Sequence, residues 1–385
     1  MNSSGPITSD RRAFLALGSS ALAAATFPAV TQAQSGEPVI VGVCGPLTGQ
    51  YAQYGAQWKK GFDLALDEVN AGGGISGRPL KYVFEDSQSD PRQTVAIARK
   101  FVADEKIIVE LGDFSSAASM AASPIYQAAG MVQLGFTNSH PKFTDGGDFI
   151  WSNAVNQADE MPLLADFIRD LGLKRVAVLY INSDWGRTAK DILVEAIKQR
   201  GLEAAGTEGY LADEKDFRSA IVRIRDSNPD AIALVSYYPD GAQISRQIKN
   251  AGLKQTLVAG GSIYSPKFIE LGGEAVNGVL TTVPFFPDDP RPEVQKFVKS
   301  FVAKFNEQPD AYNGRAYDTM ILLAAVMRQT GVTRAAIKDG LAKISGVPSV
   351  VFGKAAFDPK TRRVANPIVS RIKVEDGKWV AWKKS

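Results

Sequence analysis

The sequence predicts an α/β protein of two lobes, each built on a mostly parallel sheet with helices on both faces. From Pro38 onward, short apolar runs alternate with longer segments of helical periodicity, the pattern of repeated strand, helix, strand units. The alternation restarts after a polar stretch at 153–159, so one chain supplies two halves of similar size. Polar loops follow several apolar runs, and ligands of open parallel sheets bind beyond the carboxyl ends of strands. We therefore expect a binding cleft lined by both lobes.

The composition is that of an ordinary soluble globular protein. The 385 residues include 45% hydrophobic and 22% charged residues, with 44 basic and 41 acidic side chains giving a formal net charge of +3. The basic residues do not cluster into the footprint of a nucleic-acid binder, so we expect no nucleic-acid partner. Cys44 is the single cysteine, which excludes an intramolecular disulfide, and its apolar strand VIVGVC predicts a buried thiol.

Residues 1–33 are predicted to be an export signal rather than part of the fold. Arg11 and Arg12 precede an apolar run at 13–25 that is too short to span a membrane, and small residues lead to a cleavage point after Ala33. The stretch SDRRAFL resembles a twin-arginine signal, with an ordinary secretory signal as the alternative. We expect the protein to be exported to the periplasm.

Element by element, the first half begins with a strand, a glycine-rich loop GPLTGQYAQYG, and a helix. The predicted strands are 39–44, 79–87, 107–111 and 131–136, and the predicted helices are 56–71, 93–106 and a small-residue helix from about 116 to 129.

The second half repeats this order, and the remainder of the chain is less regular. Its predicted strands are 175–181, 204–210, 231–238 and 256–261, alternating with helices at 161–172, 188–201, 216–227 and 242–252. The stretch 279–294 contains four prolines and is interpreted as a crossover or hinge. Three helices at 293–305, 316–331 and 334–344 and strand-like segments at 350–357, 368–374 and 379–382 complete the chain.

Two polar loops in the first half are the main candidates for ligand contact. Asp113, Ser115 and Ser116 follow one predicted strand and open a helix, and the loop 137–140 follows the next strand. A helix N-terminus offers free N–H groups and a partial positive charge, which suit a carboxylate. The alternative is that Ser115 and Ser116 merely cap the helix, as serines often do.

Catalytic and cofactor signatures are missing from the sequence. His140 is the only histidine, so a Ser-His-Asp or Cys-His arrangement and a paired-histidine zinc site lack their residues. No GxxxxGK[ST] motif is present, and the first loop GVCGPLTG does not match GxGxxG. These absences favour binding over catalysis, and we expect no cofactor and no metal.

A specific family resemblance runs through the chain in order. The run GPLTGQYAQYGAQWKKGFDLALDEVNAGGGISGRPLKYVFEDSQSDP, then SSAAS, DWG, EKDF, SYYPDG and NAGLK, resembles the periplasmic solute-binding proteins of ABC importers, leucine/isoleucine/valine-binding type. The resemblance implies the type I periplasmic binding fold, two Rossmann-like lobes joined by a three-stranded hinge that close on a ligand. It implies lobe 1 at 37–157 plus about 286–365, and lobe 2 at 158–285 plus about 366–385.

The resemblance also implies a set of ligand-binding residues. Serines and a threonine would hold a carboxylate and aromatic rings would cover the rest of the ligand, although each ring could instead be core packing. The implied positions are Ser115, Ser116, Thr137, Ser139, Tyr54, Trp185, Tyr237 and Ser262.

One departure from the family pattern bears on the ligand. Amino-acid binders of this type place an acidic residue in a loop that here reads Gly260–Tyr264 and contains no carboxylate. A buried ammonium without a partner is costly. Asp113, Asp184 or Asp240 could take its place; otherwise the ligand is a carboxylate without an α-amino group, such as an aromatic one.

These observations give one main prediction and two rivals. The main prediction is an exported, non-enzymatic, monomeric binding protein that delivers a small carboxylate-bearing solute to an inner-membrane ABC permease. The solute would be a branched-chain or other hydrophobic amino acid, or an aromatic or aliphatic carboxylate. The rivals are a ligand-sensing module for a receptor or regulator, and an α/β enzyme with an unfamiliar site.

Overall fold

The computed structural model describes residues 36–364 and 369–384, so the predicted export signal lies outside the described residues. Among these residues, two seven-stranded sheets carry the fold. The first contains β1 (Val39–Gly45), β2 (Leu80–Asp86), β3 (Ile107–Gly112), β4 (Val132–Gly135), β5 (Ile150–Ser152), β13 (Phe357–Asp358) and β14 (Arg363–Val364). The second contains β6 (Arg175–Ile181), β7 (Glu203–Tyr210), β8 (Ala231–Val235), β9 (Thr256–Ala259), β10 (Leu280–Val283), β15 (Ser370–Glu375) and β16 (Lys378–Ala381).

Helices connect the strands as parallel crossovers require. They are α1 (Ala52–Ala71), α2 (Pro91–Ala103), α3 (Ser116–Ala128), α4 (Gln157–Asp170), α5 (Asp184–Gln199), α6 (Arg218–Asp226), α7 (Tyr238–Asn250), α8 (Pro266–Gly272), α9 (Pro292–Phe305), α10 (Ala311–Thr330) and α11 (Arg334–Lys343). A small hairpin, β11 (Val347–Ser349) with β12 (Gly353–Ala355), lies outside both sheets.

The strand order confirms the predicted α/β fold class. The first sheet runs β13-β14-β5-β4-β3-β1-β2 and the second β16-β15-β10-β9-β8-β6-β7, with parallel pairing through the five strands that open each half. Every residue of β8 is buried, as expected for a parallel strand covered on both faces. The chain passes between the sheets three times, after β5, after β10 and after β14. The predicted residue limits of the two lobes remain a prediction.

Several helices begin about four residues earlier than predicted. The predicted starts were 56, 161, 188 and 242, whereas α1, α4, α5 and α7 begin at Ala52, Gln157, Asp184 and Tyr238. Apolar periodicity does not register these first turns, because they are rich in polar, glycine or proline residues. Side-chain caps fix two of them, those of α4 and α5. The Asn156 side chain accepts the Ala158 N–H (2.5 Å) and the Ser183 hydroxyl accepts the Gly186 N–H (3.1 Å).

The stretch interpreted as a hinge is only partly a crossover. Leu280–Val283 forms β10, which pairs in parallel with β9 and antiparallel with β15. These four residues precede the first proline, Pro284, so each can donate to a ladder. The crossover therefore begins after Val283.

Helix α10 is fixed against α1 in the first lobe. The Asn313 side-chain amide donates to the carbonyl of Gln57 (2.7 Å), and a Cβ at Gly61 would lie 2.3 Å from the Asn313 carbonyl oxygen. Glycine at position 61 thus permits the close approach of the two helices. Among the described residues, no single helix passes a test of length and apolar character for membrane spans, although α10 and α11 together, bent by 104°, do.

Candidate ligand-binding site

The carboxyl ends of strands from both sheets meet around one cavity. Its walls come from the loops after β3, β4, β5 and β9, the first turns of α4 and α5, the residue before α7, and the start of α10. This is the arrangement that ligand sites of open parallel sheets show. The lining residues are Phe114, Thr137, Ser139, Val155, Glu160, Trp185, Tyr237, Ser262, Tyr312 and Arg315.

Five of the eight predicted site residues line this cavity, namely Thr137, Ser139, Trp185, Tyr237 and Ser262. The Ser139 hydroxyl accepts the indole N–H of Trp185 (2.9 Å), and the Ser262 hydroxyl donates to the carbonyl of Ser236 (2.7 Å). The Thr137 hydroxyl is buried and has no hydrogen-bond partner among the described residues. Thr137 therefore keeps a hydrogen-bonding group available to a ligand.

The other three predicted residues make contacts within the protein and are not among the cavity's lining residues. The Ser115 hydroxyl accepts the Ala118 N–H at 3.4 Å, so Ser115 is the N-cap of α3, the alternative role. The Ser116 hydroxyl donates to the Asn138 side chain (2.9 Å). The Tyr54 hydroxyl donates to the carbonyl of Ser262 (2.7 Å). Direct ligand contact by these three residues remains a prediction.

Aromatic rings from both lobes form one side of the cavity. Trp185 and Tyr237 are stacked, with ring centroids 4.8 Å apart and an interplanar angle of 22°. Phe114 contacts Tyr237 at 4.8 Å and stacks on Tyr54 at 4.0 Å. Such rings combine a large apolar area with few rotatable bonds and suit the apolar part of a small ligand.

None of the three carboxylates considered from the sequence lines the cavity. Asp113 accepts hydrogen bonds from the Ser87 and Ser89 hydroxyls and from the Ser115 N–H, and burial raises its pKa to about 6 against their opposing effect. The Asp184 carboxylate lies 3.1 Å from the His140 Nε2, and burial lowers the pKa of that imidazole. Asp240 is buried in the first turn of α7, and burial raises its pKa to about 6.

A carboxylate that the sequence analysis missed reaches the cavity from another element. Glu160 lies in the first turn of α4, and its Oε1 accepts the N–H of Gly261 at 2.7 Å. It therefore touches the very loop, Gly260–Tyr264, that lacks an acidic residue. Burial raises the pKa of Glu160, while the Gly261 N–H and the positive charge of Arg315 oppose that shift.

Arg315 is the second residue that the sequence analysis missed. It lies on α10, and its guanidinium is 5.3 Å from the centre of the Tyr312 ring. This guanidinium forms no hydrogen bond or ion pair with the described residues. Its Nε is buried without a partner. Arginine is an effective carboxylate binder because its planar fork donates two parallel hydrogen bonds. A guanidinium left uncommitted at a cavity is therefore available to an anion.

The two lobes contact each other directly around the cavity. Besides the bond from Tyr54 to Ser262 and the bond from Trp185 to Ser139, the Tyr238 hydroxyl donates to the Gln50 carbonyl (2.8 Å). The contact of His140 with Asp184 also joins residues that follow strands of different sheets. The structure is thus a closed arrangement of the lobes.

Comparison with known proteins assigns the chain to a family. The family model described as "Periplasmic binding protein" matches residues 38–377. The chain belongs to this family of periplasmic binding proteins. Its members are substrate-binding proteins of transporters and not enzymes, which confirms the prediction of a non-enzymatic binding protein and argues against the enzyme rival. The family also implies export to the periplasm.

Individual relatives agree with this assignment. This periplasmic binding protein is 29% identical over 355 residues to "Leu/Ile/Val-binding protein homolog 2" of Brucella abortus (strain 2308), covering 90% of this chain and 94% of the relative. The fold resembles that of LivJ, the branched-chain amino acid transporter substrate-binding protein of Streptococcus pneumoniae, in complex with isoleucine. The TM-score is 0.83 at 24% identity, covering 89% of this chain and 98% of that one.

A second solved structure of the same fold holds a different kind of ligand. It is a solute-binding protein of an ABC transporter from R. palustris in complex with benzoate, with a TM-score of 0.82 at 21% identity, covering 89% of this chain and 95% of that one. Proteins of this fold thus accommodate both an amino acid and an aromatic carboxylate. The predicted resemblance to the leucine/isoleucine/valine-binding type is confirmed.

Proposed function

We propose that this periplasmic binding protein captures a hydrophobic α-amino acid between its lobes and delivers it to an inner-membrane ABC permease. The observation that carries the proposal is the pairing of opposite charges on one cavity. Arg315 supplies a guanidinium with no protein partner, and Glu160 supplies a carboxylate. A zwitterion is the ligand whose two charges both find a complement there.

The carboxylate of the ligand would bind at Arg315 and Thr137. Both present polar groups that have no partner among the described residues, Arg315 Nε and Thr137 Oγ1. A hydrogen bond that involves a charged group contributes about 1.5 to 3 kcal/mol. Two or three such bonds account for much of the roughly −8 kcal/mol that micromolar affinity requires.

The ammonium of the ligand would bind at Glu160. The Gly261 N–H fixes one oxygen of this carboxylate, which orients the group without consuming its second oxygen. An ammonium beside Glu160 would favour the ionised carboxylate and thereby offset the effect of burial on its pKa. This revises the expectation of a ligand without an α-amino group, which depended on the missing acid in the loop Gly260–Tyr264.

The side chain of the ligand would contact the aromatic wall. Phe114, Trp185 and Tyr237 surround that part of the cavity, together with Val155. Each buried methylene group contributes about 0.8 kcal/mol, so a leucine-sized side chain adds a substantial part of the affinity. Isoleucine in the S. pneumoniae relative and benzoate in the R. palustris one support an apolar or aromatic side chain.

A matched ligand series tests the proposal. Leucine and phenylalanine are compared by calorimetry with their des-amino acids, 4-methylpentanoate and 3-phenylpropanoate, and with the amines 3-methylbutylamine and 2-phenylethylamine. We expect at least one amino acid to bind tenfold tighter than both of its single-charge analogues, because each analogue leaves Glu160 or Arg315 unpaired. Tighter binding of a des-amino acid would contradict the role of Glu160 and restore a simple carboxylate as the ligand.

Delivery to a permease is tested separately. Uptake of the tightest ligand by cells that lack this protein should fall, and should recover when the protein is supplied. Normal uptake together with loss of a ligand-dependent cellular response would favour the ligand-sensing rival. Export through residues 1–33, the twin-arginine route and the monomeric state also remain proposals.

A further inference from the structure

A second pocket, separate from the cleft cavity, lies between helix α8, the β15–β16 turn, the crossover after β10 and the turn before α10. Its volume is ≈ 500 Å³, within the roughly 300–1,000 Å³ of small-molecule sites, and it shares no lining residue with the cleft cavity. We call it the hinge pocket. The lining residues that matter to its chemistry are Tyr264, Glu270, Phe286, Asp288, Asp310 and Trp379.

Three aromatic rings form adjacent walls of the hinge pocket. The Tyr264 ring lies 5.4 Å from that of Trp379 at an interplanar angle of 70°, and 6.4 Å from that of Phe286 at 56°. Tyr264 and Phe286 are only 4% and 5% exposed, so these walls are fixed by packing. The faces of aromatic rings carry partial negative charge and attract cations.

Carboxylates complete the same pocket, and two of them have oxygens without a partner. Asp310 is 3% exposed; its Oδ1 accepts the N–H groups of Tyr312 and Asn313, whereas its Oδ2 has no partner. Asp288 is exposed and forms no ion pair or hydrogen bond with the described residues. Burial raises the pKa of Tyr264, and the charges of Asp310 and Asp288 add to that effect.

Cations of the protein itself leave these two carboxylates unpaired. Glu270, the third carboxylate of the lining, pairs with Lys267 at 2.7 Å. Lys378 is the single cation among the described lining residues, and it forms no ion pair. Three carboxylates against one ammonium give the lining a formal charge of −2, so the pocket is complementary to positive charge.

We propose that the hinge pocket binds a small organic cation, of the alkylammonium class, between the rings of Tyr264, Phe286 and Trp379 and the carboxylates of Asp288 and Asp310. The rings exclude a strongly hydrated metal ion in favour of a cation with apolar substituents, because an ammonium with alkyl groups gains both dispersion and cation–π attraction. The buried oxygen of Asp310 and the exposed carboxylate of Asp288 supply the balancing charge.

The test uses choline chloride as the cation and 3,3-dimethylbutan-1-ol as its neutral isostere, at constant ionic strength. Proton NMR follows the methyl signal of each compound as the purified protein is added. We expect choline to bind and its methyl signal to move upfield, because the methyl groups lie over ring faces, while the isostere binds at least fivefold more weakly. Equal binding of the two compounds would overturn the proposal.

Two variants test whether the cation binds in the hinge pocket. Asp288→Asn should weaken choline binding at least threefold, and Trp379→Leu should remove most of the upfield shift. Asp213→Asn, an exposed acid after β7 at the opposite edge of the second sheet, should change neither. Thermal unfolding verifies that Trp379→Leu folds. Unchanged choline binding in both Asp288→Asn and Trp379→Leu would overturn the proposal. Displacement of choline by leucine would also overturn it, because it would place choline in the cleft cavity.

Discussion

Asp113 and Arg315 are both charged residues beside the cleft, and their surroundings are opposite. Asp113 receives hydrogen bonds from two serine hydroxyls and a backbone N–H, with Thr94 at 3.4 Å as a further donor. The Arg315 guanidinium has no hydrogen-bond partner among the described residues. The fold uses the Asp113 carboxylate as an internal hydrogen-bond acceptor, whereas it leaves the Arg315 guanidinium free to bind a ligand. Their hydrogen bonds, rather than their position beside the cleft, distinguish the two residues.

Replacing Arg315 by methionine tests the free charge and should have the largest effect. Affinity for the best amino acid should fall at least 100-fold, about 2.8 kcal/mol, because the carboxylate loses its ionic partner. The thermal midpoint should hardly change, since the Arg315 side chain makes no hydrogen bond with the described residues. Calorimetry and thermal unfolding measure the two effects. Arg246→Met, an exposed arginine on α7, is the matched control, and a loss below threefold at Arg315 would make the comparison invalid.

Replacing Asp113 by alanine tests its role as an internal hydrogen-bond acceptor and should mainly affect stability. The free energy of unfolding should fall by about 2 kcal/mol, because the Ser115 N–H and buried hydroxyls lose their acceptor. Urea denaturation measures this, with Asp213→Ala as an exposed control that should change stability by less than about 0.5 kcal/mol. A variant as stable as the wild type would show that Asp113 is not a structural acceptor.

The pH dependence of stability distinguishes the ionised from the neutral form of Asp113. Its pKa is raised to about 6 in the folded state, so the folded protein binds a proton more readily than the unfolded chain between pH 6 and 4. From pH 7.5 to 5, the wild type should therefore gain about 1.4 kcal/mol of stability relative to Asp113→Asn. Parallel pH profiles of the two proteins would contradict the raised pKa.

Replacing Ser115 by alanine should have the smallest effect, and it distinguishes a residue that caps a helix from one that binds the ligand. Its hydroxyl accepts a long hydrogen bond of 3.4 Å as the cap of α3, so we expect a loss of about 0.5 kcal/mol in stability. Affinity should change less than threefold. A tenfold loss of affinity with unchanged stability would instead support Ser115 as the carboxylate-binding residue that the resemblance implies.

The fold was accessible from the sequence because apolar periodicity reports which segments are buried. The two halves, the parallel sheets and the polar loops at strand ends were all predicted in this way. First turns of helices were not, because residues such as Ser183 and Asn156 act through caps rather than through apolar spacing. Trp185 was consequently placed in a loop, although it lies in the first turn of α5.

The missed site residues arrive by tertiary packing that the sequence does not display. In the sequence, Arg315 directly precedes the apolar helix predicted at 316–331 and carries no sign of a binding role. The contact of α10 with α1 through Asn313 and Gly61 holds this part of the chain at the cleft. Glu160 immediately precedes the predicted helix 161–172, whereas α4 begins at Gln157 and places this carboxylate beside the Gly261 N–H. The available signal for Glu160 was Asn156, a residue suited to the N-cap of a helix that begins at Gln157.

The bonds that the lobes make with each other have a consequence for selectivity. The contacts of Tyr54 with Ser262 and of Tyr238 with Gln50 involve no ligand atom, and their free energy is the same whichever solute is enclosed. Substitution of Tyr54 or Tyr238 by phenylalanine should therefore scale the affinity for all solutes by one common factor. Evolution of such positions can adjust the working concentration range of the protein without altering the order in which it ranks its solutes.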